Sequence, residues 1–211
     1  MHTDKSLTSD PPLPPPPIIA MGGGMARALL DSDVSTEVSG FDMDAASLEQ
    51  YYKDAQAANK APPKVPHSQT DSIATDTAFV VLALVNEAQC DTVCFGKDGL
   101  IDLLEPQSCV ILTSTVTATW ARKANDLFRT KDIDFVDCPM SGGPARARKG
   151  TLTMMASGDE VSLSKAQPLL DAMGSDVHII KSGSWVNCEN GASIIGGSPY
   201  LRSCGSSLSS R

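Results

Sequence analysis

Residues 78–84 read AFVVLAL, seven apolar residues in a row. A run of this length bounded by polar residues predicts a strand buried on both faces, as strands of a parallel sheet are. Residues 110–113 (VILT) and 134–136 (DFV) repeat the pattern, and TLTMMASG after Gly150 predicts one more strand. Helical segments separate them at 48–58, 87–93 and 119–128, and another follows at 162–173. Upstream, MGGGMARALL (21–30) turns from glycine-rich to helical, and EVSGFD (37–42) predicts a short strand ending in a carboxylate. Strands alternating with helices predict an α/β fold, an open doubly wound sheet, mostly parallel and covered on both faces.

Outside this alternation the composition changes. Residues 1–17 end in PPLPPPP and predict a polar arm running into polyproline II. One reading is a docking peptide for a proline-recognition domain; the other is a linker or a wrong start. A loose stretch, KAPPKVPHSQTDS, covers 60–72. Of the last 30 residues, 182–211, fourteen are Ser or Gly, and no helical period survives there. With so little apolar surface to offset ordering entropy, a disordered tail is expected. The domain is therefore expected over 18–181.

The 211 residues carry 17 Lys and Arg against 25 Asp and Glu, a formal net charge of −8. An acidic balance with no basic block speaks against nucleic acid as a partner. No run reaches the ~18 apolar residues of a membrane-spanning helix. Cys90, Cys94, Cys109, Cys138, Cys188 and Cys204 include one C-x₃-C spacing, but no second close pair or nearby His completes a zinc set. The first ten residues, MHTDKSLTSD, have neither an apolar core nor Arg enrichment. Reduced thiols and a cytoplasmic location are the expectation.

Two stretches carry chemistry. Gly22, Gly23 and Gly24 open a helix, and Asp42 follows Gly22 by twenty residues. That layout suits a dinucleotide: helix N-terminal amides face a pyrophosphate, and a carboxylate receives ribose hydroxyls. A flexible joint and a solvated acid are the alternatives. The second stretch is more specific. Residues 137–158, DCPMSGGPARARKGTLTMMASG, resemble the substrate-binding signature D-x-P-x-S-G-G-x-x-x-A-x-x-G-x-L of the 3-hydroxyacid dehydrogenases. That family includes 3-hydroxyisobutyrate dehydrogenase, with 6-phosphogluconate dehydrogenase a more distant relative. AMGGGMARALL resembles the family's first glycine motif, LVNEAQCDTVCFG the segment after its fourth strand, and TSTV the segment after its fifth. The VNEAQ and PARARKG wording leans towards the L-threonate dehydrogenase branch.

The resemblance covers roughly residues 18–180 and implies a Rossmann-like domain that binds NAD, with NADP as the alternative. It assigns Met21 and Gly22 to the pyrophosphate and Asp42 to the ribose diol, which favours NAD because a carboxylate repels a 2′-phosphate. Leu84, Val85 and Gln89 would border the adenosine ribose and the nicotinamide side, and Thr115 the nicotinamide ribose. Ser141, Gly142 and Gly143 would hold the carboxylate of a small hydroxyacid. The implied reaction is oxidation of that 3-hydroxyacid by hydride transfer to nicotinamide, with a lysine removing the hydroxyl proton.

The chain departs from the family at both ends of this region. The family lysine lies in G-x-G-x-x-x-K-x-x-N before an all-helical second domain, and here no lysine follows Lys181. Asn187 and Asn190 fall in no such frame, so no catalytic lysine is assigned and that domain is expected to be absent. At the start, Pro17 and Ile19 occupy the positions of the first two family glycines. Proline cannot donate to a central strand, so a degraded first strand is expected. These departures leave two further readings beside an oxidoreductase domain without turnover. One is a non-catalytic binding or scaffold protein, the other a truncated product.

Overall fold

The computed structural model describes residues 21–34, 38–57, 70, 73 and 77–180. The proline-rich arm, the positions of the altered first strand, most of the 60–72 loop, Lys181 and the Ser/Gly-rich tail lie outside the described residues.

Thirteen elements follow in the described chain. They are α1 (Met21–Asp31), α2 (Ala45–Ala57), β1 (Phe79–Leu82), α3 (Glu87–Phe95), α4 (Leu100–Leu103), β2 (Cys109–Leu112) and α5 (Ala118–Arg129). Then come β3 (Asp134–Asp137), β4 (Met140–Ser141), α6 (Gly143–Arg148), β5 (Leu152–Ser157), α7 (Glu160–Met173) and β6 (Gly174–Ile180).

The expected α/β sheet is present and mixed, mostly parallel. β1, β2 and β3 run parallel in register, Phe79 beside Cys109 and Cys109 beside Asp134. β5 turns antiparallel, bridging β3 through Asp137 and Ser157 and pairing with β4 through Met140–Met154 and Ser141–Thr153. β6 then lies parallel to β5.

Side-chain alternation along these strands divides the interior in two. Cys109, Ile111, Val136 and Cys138 face one cluster with Met25, Leu29, Leu152, Met154, Leu170 and Met173, closed by α1 and α7. Val110, Leu112 and Phe135 face the other, with Cys94, Leu100, Trp120, Ala124 and Phe128. On α5 the buried residues Trp120, Ala121, Ala124 and Phe128 form one helical stripe, and Thr117 caps its start by accepting the Trp120 N–H at 3.2 Å. Phe128 stacks on Phe135 at 5.7 Å, and each buried ring contributes on the order of 1.5–3 kcal/mol by leaving water.

Helix α1 lies against α6, and the approach is close. A Cβ on Gly24 would stand 2.8 Å from the Ala147 Cβ and 3.0 Å from the Arg148 backbone nitrogen, so only a glycine fits that contact undisturbed.

One expected element is missing. Residues 38–42, the described part of the strand expected over 37–42, take no strand conformation. Their carbonyls face α2 instead: the Tyr51 hydroxyl donates to Val38 O at 2.9 Å and the Tyr52 hydroxyl to Gly40 O at 3.2 Å. Gly40 packs on the Tyr51 ring, and with its acceptors spent on phenols the segment runs as an irregular strap over a small cluster of Leu30, Tyr51 and Tyr52. Asp42 therefore stands in the turn before α2 rather than at a strand end.

Candidate functional site

Parallel strands β1, β2 and β3 deliver three loops to their shared C-terminal edge, where ligands of open α/β sheets bind. The first loop follows Leu82. It carries Leu84, half-buried, and Val85, whose side chain is 83% exposed although apolar. The Val85 N–H donates to Gln89 Oε1 at 3.0 Å, and Asn86 caps α3 by accepting the Gln89 N–H at 3.0 Å. The second loop runs from Thr113 to Thr117. Thr113 and Ser114 are buried while Thr115 stands exposed at its tip. The third follows Asp137 and ends in Ser141, Gly142 and Gly143 at the start of α6.

The N-terminus of α1 meets the first of these loops, since a Cβ on Gly22 would lie 3.4 Å from the Ala83 Cβ. Met21 and Gly22, Leu84 and Val85, Thr115, and Ser141 thus lie on segments at one end of the sheet. Among the described residues no acid occupies the first turn of α1, where the helix dipole places partial positive charge. These contacts do not join Asp42 to the group. It is exposed, and its Oδ1 accepts the Asp44 N–H at 2.9 Å.

The third loop has a backbone that side chains rarely adopt. Gly142 has φ of 142° and Gly143 of 76°, both in the region that favours glycine. A Cβ on Gly143 would meet nothing within 4 Å, whereas one on Gly142 would stand 3.1 Å from Arg146 and Leu152. Gly142 is thus required by conformation and contact together, and Gly143 leaves open space beside Ser141. A cradle of that shape suits a small anion such as a carboxylate.

Two groups escape the sequence reading. Asp137 enters it only as a letter of the motif, yet it is buried at 2% exposure with Oδ1 lacking a hydrogen-bond partner among the described residues. Desolvation pushes its carboxyl up to about 7. The signal was an acid placed after the apolar pair Phe135 and Val136, at the C-terminal end of DFVD. The second group is Glu87 with Ser114, whose bonds between loops become visible only when the loops are side by side.

The four described cysteines are free and buried, and desolvation pushes Cys109 and Cys138 up to about 12, so none is an activated nucleophile. Among the described residues no group of three His, Cys, Asp or Glu could hold a metal ion, and no helix is long and apolar enough to cross a membrane.

A dinucleotide fits the described residues in part: the start of α1 meets the Leu84–Val85 loop on the edge that carries exposed Val85 and Thr115, while Asp42 stands apart in the turn before α2. Comparison with known proteins agrees on the fold and lineage. Residues 18–189 match the family model described as the NAD binding domain of 6-phosphogluconate dehydrogenase. The L-threonate dehydrogenase of Pectobacterium atrosepticum is 30% identical over 161 residues, 76% of this chain and 50% of that protein. The NAD-dependent L-serine dehydrogenase of Pseudomonas aeruginosa is 37% identical over 105 residues, 49% of this chain and 35% of that protein. Among solved structures, a 3-hydroxyisobutyrate dehydrogenase from Salmonella typhimurium superposes with a TM-score of 0.66 at 30% identity, covering 78% of this chain and 54% of that one. The chain spans about half the length of the curated L-threonate dehydrogenases it matches.

Proposed function

Because the chain belongs to the 3-hydroxyacid dehydrogenase family, through the NAD-binding domain it shares with 6-phosphogluconate dehydrogenase, we propose that it binds NAD in preference to NADP at the C-terminal edge of β1–β3. The observation that carries this reading is the meeting of the α1 N-terminus with the Leu84–Val85 loop, on the same edge as Thr115. In it the backbone of Met21 and Gly22 faces the pyrophosphate, and the Asp42 carboxylate receives the ribose diol and repels a 2′-phosphate. Leu84, Val85 and Gln89 border the cofactor, and Thr115 lies by the second ribose. Ser141, Gly142 and Gly143 receive the carboxylate of a small 3-hydroxyacid of the L-threonate or 3-hydroxyisobutyrate kind. The bound nicotinamide supplies the hydride acceptor. Free buried thiols accord with the reducing cytoplasm, where we place the protein.

For the 211 residues alone we propose binding without turnover. No lysine follows Lys181 to take the hydroxyl proton, and loss of a positioned base costs ~10²–10⁴-fold. Turnover of L-threonate or 3-hydroxyisobutyrate by this chain would overturn that half of the proposal.

Calorimetric titration of NADH and NADPH into the full chain, with circular dichroism to establish folding, tests the binding half. Saturable binding, tighter for NADH, is expected. Asp42→Ala should narrow the preference ~10-fold, about 1.4 kcal/mol, by removing both the diol acceptor and the repulsion. A folded chain that takes up neither nucleotide would sink the reading and favour the scaffold alternative.

A further inference from the structure

The two loops that follow β1 and β2 are bolted to each other by side-chain hydrogen bonds. Ser114 is buried, and its Oγ accepts the Leu84 N–H at 2.7 Å. Cys90 of α3 hydrogen-bonds the same hydroxyl. Three residues on, the Thr117 N–H donates to Glu87 Oε1 at 2.5 Å, so the first turn of α3 holds the start of α5. Beneath, the Thr113 N–H and hydroxyl both donate to Leu82 O, at 2.8 and 2.7 Å. Farther out, the Trp120 indole N–H reaches Asp91 Oδ1 at 3.0 Å. Val85 and Thr115 stand on the two loops so joined, both exposed.

We infer that Glu87 and Ser114 are positioning residues: they fix the distance between the Leu84–Val85 loop and the Thr115 loop, and so the width of the slot that receives the nicotinamide half of the cofactor. This rests on the dinucleotide reading above. The fold does not require the outer bolt. Glu87 is half-buried and the core clusters do not include it, whereas Thr113 and the strand ladder already join β1 to β2. What Glu87 adds is a fixed orientation of the 113–117 loop relative to α3. Loss of one hydrogen bond to a carboxylate frees that loop.

The experiment compares NADH with ADP, which carries the adenosine and diphosphate but no nicotinamide half. Each is titrated into the wild-type chain, Glu87→Ala, Glu87→Gln and Ser114→Ala, with thermal midpoints measured alongside. Glu87→Ala is expected to weaken NADH about tenfold, the weight of one such bond, and to leave ADP unchanged. Glu87→Gln, which keeps an acceptor oxygen, should restore most of the loss. Ser114→Ala should follow Glu87→Ala in its NADH-to-ADP ratio, with a lowered midpoint because the Leu84 N–H loses its acceptor. Equal losses for NADH and ADP, no loss for either, or failure of Gln to rescue would each overturn the inference while leaving the dinucleotide reading intact. A folded wild-type chain that binds neither nucleotide would overturn both.

Discussion

Unfolding free energy is expected to fall by about 4 kcal/mol as pH rises from about 4 to about 7, and Asp137→Asn is expected to remove that fall. The carboxyl of Asp137 has an ordinary value of 3.8, which its buried position raises to about 7 through desolvation. Below the lower value both the folded and the unfolded chain hold the proton, and there is no penalty. Between the two values the unfolded chain releases it and the folded chain keeps it, so each pH unit costs about 1.4 kcal/mol of stability. Above about 7 the loss is complete. Other acids act in the opposite sense: Asp159, held down by its bonds to Ser162 at the start of α7, gains stability as pH rises. The difference between wild type and Asp137→Asn isolates the buried carboxyl. Urea unfolding of both at pH near 5.5 and 8.5 should show the variant gaining about 2 kcal/mol on wild type across that interval. Parallel pH profiles would mean that Asp137 is not desolvated as the structure has it.

Gly24→Leu is expected to cost about 3 kcal/mol or more, and Gly24→Ala about 1–2 kcal/mol, despite alanine's advantage in a helix interior. The obstacle is the approach of α1 to α6, where the new Cβ would meet the Ala147 Cβ and the Arg148 backbone. A backbone nitrogen cannot rotate aside, so the helices must part. Gly22 offers the contrast two residues earlier. Its Cβ would meet only the Ala83 Cβ at an ordinary 3.4 Å, so Gly22→Ala should raise stability by ~0.5–1 kcal/mol. Denaturant midpoints of the three variants decide the matter, and a stabilising Gly24→Ala would refute the close contact. Because α6 begins at the Ser141–Gly143 cradle, Gly24→Leu should also disturb the hydroxyacid side of the site.

These outcomes bear on what the sequence alone could disclose. Strands β2, β3 and β5 were legible because deep burial leaves an apolar run, and β1 by the same kind of run although Phe79, Val80 and Val81 are only half-buried. The helices between them were legible to within a few residues, as the capping residues Asn86, Thr117 and Asp159 mark their starts. β6 was not, because GSDVHII lies along the free side of β5 with Ser175, Asp176 and Ile179 exposed, and a half-wet strand carries no such run. The strand expected around EVSGFD failed for a tertiary reason: two tyrosines thirteen and twelve residues ahead take its carbonyls. Within the site, Ser141, Gly142 and Gly143 could be named because their segment resembles a family signature, not from any local pattern of its own. The buried Oδ1 of Asp137 and the bonds of Glu87 and Ser114 depend on which loops become neighbours, which no local pattern encodes.

Strand β2 has a consequence for how this chain can change. All four residues from Cys109 to Leu112 are fully covered, two on each side of the sheet, and each pair belongs to a different interior cluster. The strand is a partition with a phase. Inserting or deleting one residue would send Cys109 and Ile111 into the space shaped for Val110 and Leu112, and the reverse, spoiling both interiors at once. A change of two would restore the phase but shift Thr113 and Ser114 along the edge, parting them from Leu82 and Leu84. Length variation is therefore barred from this stretch by geometry, and substitutions must trade one apolar shape for another of similar volume.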